Sequence, residues 1–211
     1  MPVDFALYLI SARHQCSTGH TLLSTLEAAL RGGVRAVQLR EKDLSSAELF
    51  DYARQIRTLT RRYGAHLFIN DRVDIALAAD ADGVHLTEQS VDVTTARELL
   101  GHTKLIGVST HSLTRALSAA RNGADLITFS PVFYTPSKAA YGSPQGVERL
   151  REVCAAVNIP VFALGGINPH NQAKVHQAGA SGIALISAIF AAPDPAAAAR
   201  EFNLFLPGTT P

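Results

Sequence analysis

Gly123-Ala124-Asp125-Leu126-Ile127 closes one amphipathic segment and opens a short apolar run. The same pattern stands at Gly32-Gly33-Val34-Arg35-Ala36-Val37, Ala81-Asp82-Gly83-Val84-His85 and Gly179-Ala180-Ser181-Gly182-Ile183. In each, glycine or a small residue ends a helix, because glycine reaches the left-handed conformation that a helix C-terminus uses. A strand then begins. The strand-like runs are Ala6–Ile10, Ala36–Leu39, His66–Ile69, Gly83–Leu86, Leu105–Ser109, Leu126–Phe129, Val161–Leu164 and Ile183–Ile186. Between them lie helical spacings such as Leu22, Leu23, Leu26, Ala29 and Leu30. The four small-residue segments precede every second strand, as a barrel grown from repeated units would show. Alternating strands and helices predict a parallel sheet, and eight strands suffice to close one. The expected fold is therefore α/β, a single (β/α)8 TIM barrel over residues 1–206, with 207–211 a frayed tail. A doubly wound open sheet is the alternative that periodicity leaves open.

The 211 residues are 47% apolar and 18% charged, an ordinary globular balance. A formal net charge of +1 gives no overall basic field to gather nucleic acid or an anionic membrane, so any anion site must be local. Cys16 and Cys154 form no CxxC, and two buried, reduced thiols are expected. The apolar run Phe5–Ile10 is too short for a signal peptide's core, and no stretch approaches a membrane span. A cytoplasmic protein is expected. A homo-oligomer is left open.

In parallel barrels, chemistry collects where strands end. After the second strand, Gln38, Arg40 and Lys42 alternate to one side and Leu39 and Glu41 to the other. An amide and two cations suit phosphate or pyrophosphate; a solvated charged loop is the plainer reading. At the third strand's end, Asn70 can donate to a phosphate oxygen and Asp71 can hold Mg²⁺, which prefers carboxylate and phosphate oxygens. Asp71 is equally a candidate cap for a helix starting at Val73. Thr135, Ser137 and Lys138 bring two hydroxyls and an ammonium to the loop after the sixth strand. Gly165 and Gly166 offer backbone to an anion, and a short helix starting near Ser187, beside Ile186, would point its N-terminus at one. Ser109 is placed to hydrogen-bond a heterocycle. His85 and His111 accompany no metal-binding spacing and are read as structural.

In this order, VQLREKD, NDRVDIALAADADGVHL, IGVSTHS, SPVFYTPSK, ALGGI and GASGIALISAIF resemble the thiamine phosphate synthase/TenI superfamily over nearly the whole chain. The resemblance implies an enzyme that joins a pyrimidine methyl diphosphate to a thiazole phosphate and releases pyrophosphate. It implies diphosphate contacts at Gln38, Arg40, Lys42, Asn70, Thr135, Ser137 and Lys138, and a pyrimidine contact at Ser109. It also implies a thiazole phosphate site at Gly166, Ile186 and Ser187, with Gly165 beside it, and a magnesium ligand at Asp71. Arg40, Lys42 and Lys138 are the residues expected to stabilise charge on the leaving group. The synthases' second magnesium carboxylate is replaced here by Ser90, with Glu88 and Asp92 nearby. That feature resembles the TenI branch, which includes a thiazole tautomerase, yet no histidine stands near Pro131 where the tautomerase carries one. The expected partners are small phosphorylated pyrimidine and thiazole ligands. The alternatives are a TenI-like isomerase and a non-catalytic binder of thiamine precursors.

Overall fold

The apolar runs pair edge to edge in chain order: β1 (Leu7–Ile10), β2 (Ala36–Leu39), β3 (His66–Asn70), β4 (Gly83–Leu86), β5 (Leu105–Thr110), β6 (Leu126–Phe129), β7 (Val161–Leu164) and β8 (Gly182–Leu185). Every pairing is parallel, and β8 closes onto β1 through Leu7↔Ile183, Tyr8↔Ala184 and Leu9↔Leu185. The expected eight-stranded barrel is therefore present, and the open sheet is excluded. The structure, a computed structural model, describes residues 2–136 and 143–203. The tail expected at 207–211 lies outside them, as do Ser137 and Lys138.

Strand alternation sorts the side chains into two sets. Leu7, Leu9, Val37, Leu39, Leu67, Ile69, Val84, Leu86, Ile106 and Ile127 face outward into the layer under the helices. Tyr8, Ile10, Ala36, Phe68, Leu105, Leu126, Phe162 and Ala184 fill the lumen. Large lumen residues face small ones. A Cβ on Gly83 would lie 2.8 Å from the Phe68 ring, and one on Gly182 would lie 2.6 Å from that of Phe162. Phe5 joins these rings beneath Tyr8, with centroids 5.2 Å from Phe162 and 5.9 Å from Phe68. Burying each such ring is worth ~1.5–3 kcal/mol, and together they make a dry floor.

The helical layer consists of α1 (Leu22–Arg31), α2 (Ser46–Arg62), α3 (Val73–Ala78), α4 (Val93–Leu100), α5 (Leu113–Arg121), α6 (Gly146–Ala156), α7 (Gln172–Gln177), α8 (Ser187–Phe190) and α9 (Pro195–Asn203). Reciprocal capping boxes, Thr21 with Ser24 and Ser45 with Glu48, start α1 and α2. Asp92 and Ser112 cap α4 and α5. At the bottom of the barrel, the repeat seen in the sequence becomes a repeated bracket. Asp82 accepts from the Leu67 amide at 2.7 Å and from Arg57 at 2.6 Å. Asp125 likewise accepts from the Ile106 amide at 2.6 Å and from Arg97 at 2.5 Å. Each carboxylate ties the start of one strand to its neighbour and to a helix. Cys16 and Cys154 are free thiols, as expected, but half-buried rather than buried.

Candidate active site

Above the aromatic floor, the lumen-facing positions turn polar. Gln38 on β2, Tyr8 on β1, His85 on β4 and Thr128 on β6 are all buried, and Ser109 on β5 is half-buried. Gln38 Nε2 donates to Tyr8 Oη at 3.1 Å. An amide nitrogen can only donate, so the Tyr8 hydrogen passes to His85 Nδ1, 3.2 Å away. The ring hydrogen then sits on His85 Nε2, which donates to Ser109 Oγ at 3.1 Å and lies 3.4 Å from Thr128 Oγ1. Burial pushes the imidazole down to about 3, opposed by the Asp71 carboxylate and reinforced by the Arg40 guanidinium. Burial also pushes the Tyr8 phenol well above its ordinary value, the Gln38 hydrogen bond opposing. Both rings are therefore neutral near pH 7. A Cβ on Gly107 would fall 2.6 Å from His85 Nδ1, so glycine at this position makes room for the ring. The sequence reading did not single out Tyr8 and read His85 as structural. The signal was strand parity: both share the lumen face with Gln38 and Ser109.

Alternation places Gln38 in the lumen; β2 ends at Leu39, and from there a turn carries the chain on. Arg40 is half-buried at the mouth, while Lys42 is exposed in a turn. Neither forms an ion pair among the described residues. Glu41 is buried and accepts from Ser11 Oγ at 2.6 Å and the Arg13 amide at 3.1 Å. Ser11 Oγ in turn accepts the Arg40 amide at 2.8 Å. Arg13 also grips Asp43 with both terminal nitrogens, at 2.6 and 2.7 Å. Arg13 and His14 hold the Asp43 carboxyl well below its usual range. This bracket fixes the loop's backbone and leaves the two cations uncommitted.

Asp71 does not cap α3. It has φ of 60°, the cap position is Arg72, and no side chain caps there. Its carboxylate instead accepts from Asn70 Nδ2 at 2.7 Å, from Thr87 Oγ1 at 3.0 Å and from Ser90 Oγ. Its φ of 60° lies in the left-handed region, which aspartate enters more readily than most residues. Asn70 spends one amide hydrogen on Asp71, so donation to a phosphate oxygen falls to the other. Its buried Oδ1 has no partner among the described residues. Glu88 pairs with Arg115 at 3.2 Å, and Asp92 caps α4 through the Thr95 amide at 2.8 Å. No group of three or more metal-binding side chains occurs among the described residues. The donor set fits Mg²⁺ as a cation carried mainly by phosphate oxygens and water and touched by one carboxylate. Beside this corner, a cleft of about 200 Å³ is bordered by Thr87, Ser90, Ser109 and Arg115.

The remaining rim is backbone. The Val132 amide donates to Leu164 O at 2.9 Å and the Phe133 amide to Gly165 O at 3.0 Å, extending the β6–β7 ladder into the loops. Gly165 and Gly166 have φ of 100° and 64°, and a Cβ on Gly166 would meet Phe133 Cβ at 2.8 Å and the Tyr134 carbonyl oxygen. Thr135 is half-buried where this loop leaves its stem. After β8, Ile186 precedes a helix that begins at Ser187, as expected. The first amides of a helix have no partner within it. His111 Nδ1 donates to Ser130 O at 2.8 Å and so ties the β5 loop to β6. Arg40, Asn70, Asp71, Ser109, Thr135, Gly166 and Ser187 thus all stand at the C-terminal end of one barrel.

Fold and site together define a (β/α)8 barrel whose mouth combines cations, a carboxylate and glycine-lined loops over a buried polar layer. The thiamine monophosphate synthase family matches residues 7–189. A putative thiamine-phosphate synthase of Geobacter sulfurreducens is 57% identical, covering 99% of this chain and 97% of its own. The thiamine-phosphate synthase of Chloroflexus aurantiacus is 46% identical over 95% of this chain and 92% of its own. Among solved structures, thiamine phosphate pyrophosphorylase from Pyrococcus furiosus superposes with a TM-score of 0.87 at 37% identity, with 95% of each chain covered. The chain belongs to the thiamine monophosphate synthase family. It is a transferase of thiamine biosynthesis.

Proposed function

We propose that this protein joins a pyrimidine methyl diphosphate to a thiazole phosphate and releases pyrophosphate in the cytoplasm. The observation that carries the reading is the mouth itself. Arg40, half-buried and without an ion pair among the described residues, stands at the mouth of a neutral, hydrogen-bonding lumen, with Lys42 exposed on the turn beyond it, in a chain whose relatives are named for this synthesis. Ser109 holds the pyrimidine, and so does Gln38, which was expected on the diphosphate but lies buried in the lumen on Tyr8. Arg40, Lys42, Asn70, Thr135, Ser137 and Lys138 grip the diphosphate, and Gly165, Gly166, Ile186 and Ser187 hold the thiazole phosphate.

The C–O bond between the pyrimidine methylene and the diphosphate breaks, and its electron pair leaves on pyrophosphate. The thiazole nitrogen then gives its lone pair to the methylene, forming the C–N bond. No protein nucleophile and no proton transfer are needed. Cations already aimed at the leaving oxygens stabilise charge as it develops, where fixed electrostatics contribute most, and holding two ligands in contact supplies much of the remainder. Asp71, with Asn70 Oδ1 close by, would hold Mg²⁺ against the diphosphate, where the ion adds positive charge to the departing group. A tautomerase would need a base at this mouth. His85 has both ring nitrogens engaged, and the relatives of this chain are named for the synthesis, so the synthase reading is favoured.

The test is pyrophosphate release on mixing the purified protein with both substrates and Mg²⁺. Release dependent on both ligands supports the reading. Conversion of the thiazole compound without diphosphate, or no turnover at all, overturns it.

A further inference from the structure

β1 stands between β2 and β8 in the barrel, so the loop that leaves it runs between the loops that carry the two proposed anion grips. Arg40 lies past the end of β2 at Leu39, and Ser187 past the end of β8 at Leu185, where the strand ladder no longer fixes them. The β1 loop is bonded to both sides. At one end, Ser11 Oγ accepts the Arg40 amide at 2.8 Å and donates to Glu41 at 2.6 Å, and Arg13 holds Asp43 at 2.6 and 2.7 Å. At the other, the Ser17 amide donates to Phe190 O at 3.2 Å and Ser17 Oγ donates to Ala192 O at 2.9 Å. Phe190 ends α8, the helix that begins at Ser187. We propose that Arg13 and Ser17 are positioning residues that brace the diphosphate grip against the thiazole phosphate grip, and so set the gap across which the C–N bond forms. The inference rests on the two-substrate reading of this mouth and adds what fixes the separation of the two ligands.

The brace is built to be stiff. Arg13–Gln15 form a single 3-10 turn, closed by the Gln15 amide on Ala12 O at 2.9 Å and the Cys16 amide on Arg13 O at 3.3 Å. Thr25 Oγ1 on α1 donates to Cys16 Sγ at 3.6 Å and anchors the middle. The Glu41 carboxylate is buried, and losing Ser11 or the Arg13 amide would leave it unmatched, which is costly. On the far side, α8 has only four residues and is about 6 Å long, so holding its last carbonyl also holds its first amides. Spacing matters for the proposed chemistry. Once the C–O bond breaks, the methylene is electron-poor and takes the nearest nucleophile. The thiazole nitrogen in contact gives the coupled product. A water in the gap instead forms a new C–O bond and releases its proton to solvent, giving the pyrimidine alcohol. The brace therefore governs which product forms, not only how fast.

The experiment mixes pyrimidine methyl diphosphate, thiazole phosphate and Mg²⁺ with the wild type, Arg13→Ala, Ser17→Ala and Ser17→Thr. Coupled product, pyrimidine alcohol and pyrophosphate are quantified by chromatography. Calorimetry with inorganic pyrophosphate and with thiazole phosphate, each alone, and thermal unfolding run in parallel. Each alanine variant should raise the ratio of alcohol to coupled product about tenfold, part of the ~100-fold that a 1 Å misplacement costs. Ser17→Ala should leave both separate affinities nearly unchanged, and Ser17→Thr, which keeps the hydroxyl, should keep the wild-type ratio. A purely structural role would lower Tm and total turnover but leave the ratio alone. An unmoved ratio in either alanine variant, with turnover intact, overturns this inference and leaves the proposed reaction standing. So does a Ser17→Thr ratio as high as that of Ser17→Ala. A wild type that releases no pyrophosphate overturns the proposed reaction, and the brace falls with it.

Discussion

Replacing Ser90 with aspartate should make the fold's stability depend on a divalent cation. Asp71 accepts three side-chain hydrogen bonds, one of them from Ser90. Ser90→Asp deletes a hydrogen bond to a charged group, worth ~1.5–3 kcal/mol, and sets a second carboxylate against the first. Two like charges about 4 Å apart at an effective dielectric near 20 repel by about 4 kcal/mol. Both positions are only half-buried, so outward rotation and solvent discount that figure. A net loss of about 2–4 kcal/mol remains, or roughly 5–15 °C in Tm for a chain of this length. Thermal unfolding in EDTA at pH 7.5 should show this drop. Lowering the pH should relieve it, because a carboxylate pair raises one member's pKa and protonation removes the repulsion. Millimolar Mg²⁺ should restore the variant's Tm and raise the wild type's much less. An unchanged Tm in EDTA, or equal gains with Mg²⁺ in both proteins, would refute the placement of Ser90 on Asp71.

Lys138→Ala should weaken inorganic pyrophosphate binding about tenfold to a hundredfold, the loss expected for one charge-assisted contact, while leaving thiazole phosphate affinity nearly intact; equal losses in calorimetry would contradict the division of the rim. Gly166→Ala forces a side chain into φ of 64° and onto Phe133 and the Tyr134 carbonyl. It should cost roughly 2–4 kcal/mol by unfolding and weaken thiazole phosphate binding more than pyrophosphate binding. Burial pushes the Cys154 thiol up to about 11 from 9.0. At pH 8 its thiolate fraction is about one in a thousand, so a disulfide reagent should modify it ~100-fold more slowly than an ordinary thiol of pKa 9. Because the folded state favours the neutral thiol, its contribution to stability is complete below about pH 9 and is lost as pH rises from there through about 11. Cys154→Ser should flatten that alkaline decline.

Read alone, the sequence located all eight strands to within a residue, because strand and helix periods and glycine stops are local properties of the chain. It also named Gln38, Arg40, Asn70, Asp71, Ser109 and Gly166, since polar residues at strand ends of a parallel barrel converge whatever the loops do. Closure was a different matter. It depends on β1 meeting β8, partners far apart in the sequence, and no local period reports that. Alternation set Glu41 apart from Gln38 and Arg40, but its bracket with Ser11 and the Arg13 amide is decided by the turn that follows Leu39. The cap reading of Asp71 failed because a carboxylate's role is set by which donors surround it, and Thr87 and Ser90 arrive from another strand's loop. Tyr8 and His85 look like ordinary core residues in the linear chain. Only the closed lumen brings them between Gln38 and Ser109, because a hydrogen bond needs its two atoms within about 3 Å, and only tertiary packing sets that distance.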